Sequence, residues 1–177
     1  MTDELDDLVV LSDFAWERLR DRLTGLTEDE YRWEPVAKCW TVRAAGDGTF
    51  TADGHQGTYR SAGETELFTT LPWRLHHLTV VLGEDRNGRW LRVPDAPTAV
   101  TEPAGTAEDA LARLADAYAA WRTLLTMVSE AALTEPMGEV AGPFAESTGR
   151  AFVLHILDEL IHHAAEAAML RDLYDAQ

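Results

Sequence analysis

Two residue types capable of holding a metal ion meet near the C-terminal end of the chain, in RAFVLHILDELIHHAAEAAMLRDLY, residues 150–174. Read as one helix, this stretch spans six to seven turns at about 3.6 residues per turn. Glu159 and His163 are four residues apart, so their side chains stand one turn apart on one face. His155, a turn earlier, and Glu166, about a turn later, fall near that face, whereas His162 points about 100° away. A carboxylate and an imidazole at this spacing can take two adjacent positions on a divalent metal. A catalytic metal needs a third protein donor and an open position for water or substrate.

The third donor has to come from another element. Thr69-Thr70-Leu71-Pro72-Trp73 opens a helix, with Thr70 as N-cap and proline in the first turn, where its missing N–H costs little. The pattern continues through His76 and His77, as far as about Trp90. Adjacent histidines on a helix point about 100° apart, so at most one faces a given neighbour. Spacing leaves His76 and His77 tied. Either one, with Glu159 and His163, makes a set of two imidazoles and one carboxylate. Such a set suits zinc with an open position, and equally nickel, manganese or non-haem iron. Its use would be to lower the pKa of a bound water or thiol and hold it as the anion. Spacing alone also allows a plainer reading, in which these are surface or half-buried histidines hydrogen-bonded to acids.

Two further helices complete the frame. From Asp3 to about Gly25, Leu5, Leu8, Val9, Leu11, Phe14, Ala15, Leu19 and Leu23 recur at three- and four-residue spacing. Thr106 caps another helix, with a stripe from Ala110 through Leu114, Tyr118, Trp121 and Leu125 to Val128. Thr27 begins a short helix with Glu28, Asp29 and Glu30 in its first turn. Residues 41–60 are rich in Gly, Thr and Asp and suit a short hairpin or a long structured loop, in which His55 is expected to be exposed. Residues 92–106 hold three prolines and form an irregular connection, and 133–147 form a loop. The fold class expected is therefore all-α: a four-helix bundle in one domain over 1–177, with long crossovers after the first and second helices. Pocket walls are expected from 41–60 and 92–106. Among the remaining polar residues, His155 is expected to pack beside the ligands and His162 to lie beside them or on the surface. Glu166 and Asp158 could orient ligand imidazoles. Arg74 and Arg171 are expected to pair with nearby acids, and Trp73, Tyr118 and Trp121 to lie in the core.

Composition narrows the function. The formal net charge is −16, and a single lysine, Lys38, stands among the 15 basic residues. Such a surface repels phosphate backbones and anionic membranes, which argues against both as partners. No apolar run approaches the roughly 20 residues of a membrane span, and the acidic start, MTDELDDLVVLSDF, is unlike a signal peptide. The lone Cys39 fits a reducing cytoplasm and a packed thiol.

The segments TTLPWRLHHLTVVLGEDR and HILDELIHHAAEAAMLRDLY resemble the DinB-like (DinB/YfiT) superfamily, in its actinobacterial branch. LTEDEYRWEPVAKCWTVR, DALARLADAYAAW and GPFAES extend the likeness over most of the chain. The resemblance implies a four-helix bundle with a divalent metal held by one histidine of the second helix and an H-x3-H pair of the last. Transferred here, the W-R-L-x-H position falls on His77, and the last-helix pair on Glu159 and His163. Glu159 departs from the all-histidine pattern and resembles the mycothiol-dependent maleylpyruvate isomerase branch, whose zinc has two histidines and a glutamate. The resemblance also implies a metal-dependent S-transferase or isomerase acting on a small-molecule thiol such as mycothiol, and a homodimer of the kind relatives often form. A bundle with a vestigial site that binds a small molecule or partner is the alternative.

Overall fold

The computed structural model describes residues 3–54 and 68–177; His55 lies outside them. Four long helices carry the architecture: α1 (Asp3–Leu23), α3 (Leu71–Gly83), α5 (Ala107–Met127) and α7 (Gly149–Asp175). Short helices α2 (Glu28–Tyr31), α4 (Arg86–Trp90) and α6 (Glu130–Thr134), and a 3-10 segment (Glu139–Phe144), lie in the connections. The main packing contacts run from α1 to α5, α5 to α3, α3 to α7 and α7 back to α1. The fold is thus an all-α four-helix bundle of DinB-like type. No described helix is long and apolar enough to cross a membrane.

Each long helix begins or ends where local chemistry dictates. Thr106 and Thr148 cap α5 and α7 by accepting from the N–H groups of Asp109 and Ala151. The expected second helix is divided. α3 stops at Gly83, and α4 follows a break at Glu84 and Asp85. Asn87, almost wholly buried, donates from its side-chain amide to the Val81 and Leu82 carbonyls, satisfying groups that the end of α3 leaves open. Thr70 caps α3 by backbone conformation alone, because its hydroxyl donates to the Trp40 carbonyl or Thr41 Oγ1. The 133–147 region is more ordered than a loop, since α6 reaches Thr134 and the 3-10 segment follows.

The core lies where the four stripes meet, around Leu19, Leu75, Leu78, Leu114, Trp121, Ile156 and Leu160. The stripe of α1 differs from the expected one. Leu11 and Phe14 face outward, and Ser12 takes the core position between Leu8 and Ala15. Ser12 can do so because its hydroxyl meets the Tyr118 hydroxyl at 3.4 Å, and Tyr118 in turn donates to Asp13 at 2.6 Å.

The 41–60 region does form a hairpin within its described part. β1 (Val42–Ala44) pairs antiparallel with β2 (Phe50–Ala52), Arg43 facing Thr51. The turn between them places Gly46 and Gly48 at φ 87° and 88°, a conformation that L side chains resist. Trp40 bridges to Thr69, fastening the base of the hairpin to the start of α3.

Candidate metal centre

α7 brings its donors into the bundle by placing one of them on the apolar stripe. Ile156, Leu160, His163, Ala167 and Leu170 follow one another at four- and three-residue steps, and all are buried. His163 therefore occupies a position that an aliphatic side chain would ordinarily fill. Glu159, one turn earlier, sits on the edge of the stripe that faces α3.

α3 is buried on almost every side, and Arg74, His77 and Val80 form its one partly exposed line, at three-residue spacing. That line meets α7. His76, by contrast, is buried with Tyr31, Thr79, Ala110 and Arg113 around a void of about 10 Å³ on the α5 side. Packing thus separates the two histidines that spacing left tied.

The Nε2 atoms of His77 and His163 each lie 3.0 Å from one oxygen, Oε2 of Glu159. The two rings are nearly perpendicular, with centroids 4.6 Å apart. The three donor atoms all fall within 4.8 Å of one another. Hydrogen bonds from His163 and then His77 hold the Glu159 carboxyl well below its ordinary range. Burial opposes charge on His163, but its hydrogen bonds to Glu159 and Glu166 outweigh burial and raise its pKa. His77 and Glu159 side chains are about a quarter exposed (24% and 23%), so the cluster is open on one side.

Behind the donors stands a second layer. Glu166 Oε2 is 2.6 Å from His163 Nδ1, and Arg74 grips Glu166 with both terminal nitrogens at 3.0 Å. Arg74 Nη1 also lies 2.9 Å from His163 Nδ1. A guanidinium has no lone pair, and a carboxylate with a bare ring nitrogen at 2.6 Å would set two acceptors against each other. Nδ1 therefore carries a proton, donated to Glu166, and without a metal Nε2 carries one too, donated to Glu159. A metal displacing the Nε2 proton would find the lone pair already directed at the donor cluster. His162, His163 and Glu166 form another group of potential ligands. Arg74 already supplies the cation there, leaving the His77, Glu159 and His163 group as the one suited to an ion.

The donor set fits a divalent metal on geometry as well as on type. Donors on a tetrahedral zinc with bonds near 2.0–2.1 Å stand about 3.3 Å apart, so the two 3.0 Å spacings need little adjustment.

Other expected participants take different places. His155 is exposed (57%) rather than packed, with Nε2 3.9 Å from Glu159 Oε1. It lies four residues before Glu159, but toward the outer edge of α7. His162 is exposed and 3.2 Å from Glu166 Oε1, and Asp158 is exposed. Arg74 and Arg171 do pair with acids, Glu166 and Glu30. Tyr118 and Trp121 are core residues. Trp73 is buried too, yet its ring stacks on His77, 5.2 Å apart and 6° from parallel. Spacing concealed this contact because positions 73 and 77 read as one more apolar stripe.

The 41–60 and 92–106 segments do wall one cavity together, of about 300 Å³, through Thr41, Val42, Phe50, Ala104 and Gly105, beside Pro72 at the start of α3. A cavity of about 200 Å³ beside Arg74 and Glu166 is lined by Pro35, Phe68, Met169 and Leu173, from neither 41–60 nor 92–106. Arg92 to Ala96 and Thr98 line a further cavity of about 470 Å³ with Gly88 and Arg89 of α4.

Two imidazoles and a carboxylate converge here from facing helices, the arrangement from which helical bundles can build metal sites. The chain is a member of the DinB superfamily, whose family model matches residues 12–167. Comparisons with curated proteins and with solved structures find no match.

Proposed function

We propose that this chain binds one divalent metal, with zinc the first candidate, through His77, Glu159 and His163, and acts as an S-transferase or isomerase on a small thiol of the mycothiol type. The observation that supports it most is the convergence of both imidazole Nε2 atoms on Glu159 Oε2. Nickel, manganese and iron fit the same donor types. When bound, such a metal stabilises a coordinated thiol or water as its anion at neutral pH. Around it, Glu166 keeps the His163 proton on Nδ1, and Trp73 covers one face of His77. The quarter-exposed edge of His77 and Glu159 leaves an approach for a small molecule. The expected test result is about one metal per chain in unchelated protein, lost in His163→Ala, together with conjugation activity in a panel of low-molecular-weight thiols.

A second reading draws on the same contacts. Glu159 faces both imidazoles at hydrogen-bonding distance, so the cluster is satisfied without an ion. The bundle would then act by binding a small molecule or partner. Absence of metal under every loading condition, with unchanged stability after chelation, would favour it.

A further inference from the structure

Trp73 and Arg74 are consecutive, and each braces a different imidazole of the cluster. Trp73 lies four residues before His77, and the two rings are stacked. The Trp73 ring is itself fixed, since its indole N–H donates to the Asp53 carbonyl at 2.8 Å, at the end of the hairpin. Arg74 lies over the Trp73 ring at 5.2 Å and reaches across to α7. There its two terminal nitrogens hold both oxygens of Glu166, the acceptor for His163 Nδ1. Its side chain is only 17% exposed, and among the described residues no partner meets its buried Nε. The guanidinium is therefore committed to this one contact with Glu166 and His163. A lysine could neutralise Glu166 but could not hold both oxygens in one plane.

We propose that Trp73 and Arg74 are positioning residues that fix the orientations of His77 and His163, Arg74 acting through Glu166, and that they set the affinity of the site for its metal. The proposal rests on metal binding by His77, Glu159 and His163. Residues that orient ligand imidazoles typically contribute 10–100-fold to metal affinity.

The test is zinc titration of the full chain against a competing chelator, alongside 1H–15N spectra of the histidine side chains in the zinc-loaded protein. Wild type should bind zinc and show a His163 Nδ1–H signal protected from solvent exchange. Arg74→Ala should lose about 10–100-fold in zinc affinity and lose that protection, while its metal-free circular dichroism stays unchanged. Arg74→Lys should recover part of the affinity. Trp73→Leu should weaken zinc binding while leaving the His163 signal in place. If Arg74→Ala does not fold, Arg74→Met, which keeps the apolar stem, is read in the same way. A wild type that binds no zinc overturns the metal site, and this inference with it. A wild type that binds, beside folded Arg74 variants within twofold of its affinity and with the signal intact, overturns the positioning role alone.

Discussion

Glu159 is the residue on which the candidate site turns, because both histidines meet one of its carboxylate oxygens through Nε2. Its replacement by Gln would leave a neutral oxygen there, and metal affinity should fall by at least about an order of magnitude, by the scale of ligand effects. The two histidines of α3 provide an internal control. His77→Ala should abolish metal binding, whereas His76→Ala should leave it intact, as metal content after dialysis would show. Protons would compete with a bound metal for His163. Because the pKa of His163 is raised above its ordinary 6.5, affinity should climb with pH, by up to about tenfold per unit for one displaced proton, until that pKa is passed. In metal-free protein the signs differ for the two partners. The raised His163 contributes stability that is complete below 6.5 and lost as pH rises through its folded pKa. The lowered Glu159 contributes stability that is complete above 4.5 and lost as pH falls toward its folded value. Metal-free protein should therefore gain most from this cluster between those two limits, measurable as a melting temperature against pH.

At the scale of elements, α7 both presents two of the three proposed ligands, Glu159 and His163, and closes the bundle. Arg171, near its C-terminal end, contacts both oxygens of Glu30 on α2, at 2.5 and 3.0 Å, and also the carbonyls of Arg22 and Thr24. Glu30 is 4% exposed, so Arg171→Ala would strand a buried charge at a cost of about 3–5 kcal/mol. A fall in melting temperature on the order of 10 °C should follow. At the other end, Gly149 packs so closely against α6 that a Cβ there would collide with the Ala132 carbonyl oxygen. Periodicity made the four long helices legible, and spacing found the pair of Glu159 and His163 on one face. The second layer was not legible, because the link of Arg74 to Glu166 and His163 crosses between α3 and α7. A clue did exist, since Arg74 and His77 are three residues apart on an otherwise buried helix. Ser12 escaped the pattern for a similar reason: a polar core position makes sense only once Tyr118 is seen opposite it.

For the whole molecule, the bundle supplies a rigid frame in which donors from α3 and α7 face each other without help from the metal. The histidine and glutamate side chains already touch, so an ion would replace hydrogen bonds rather than fold the chain. Removing metal should leave the protein folded and lower its stability by the linkage term alone, about 2.7 kcal/mol from a free concentration 100 times the dissociation constant. A net charge of −16 should also keep the protein off duplex DNA at physiological salt. Metal binding through His77, Glu159 and His163 is best checked by elemental analysis of the purified, unchelated chain. The purified protein should carry about one divalent metal per chain, zinc foremost, and His163→Ala none. A protein that carries no metal after loading with zinc, nickel, manganese or iron would contradict it.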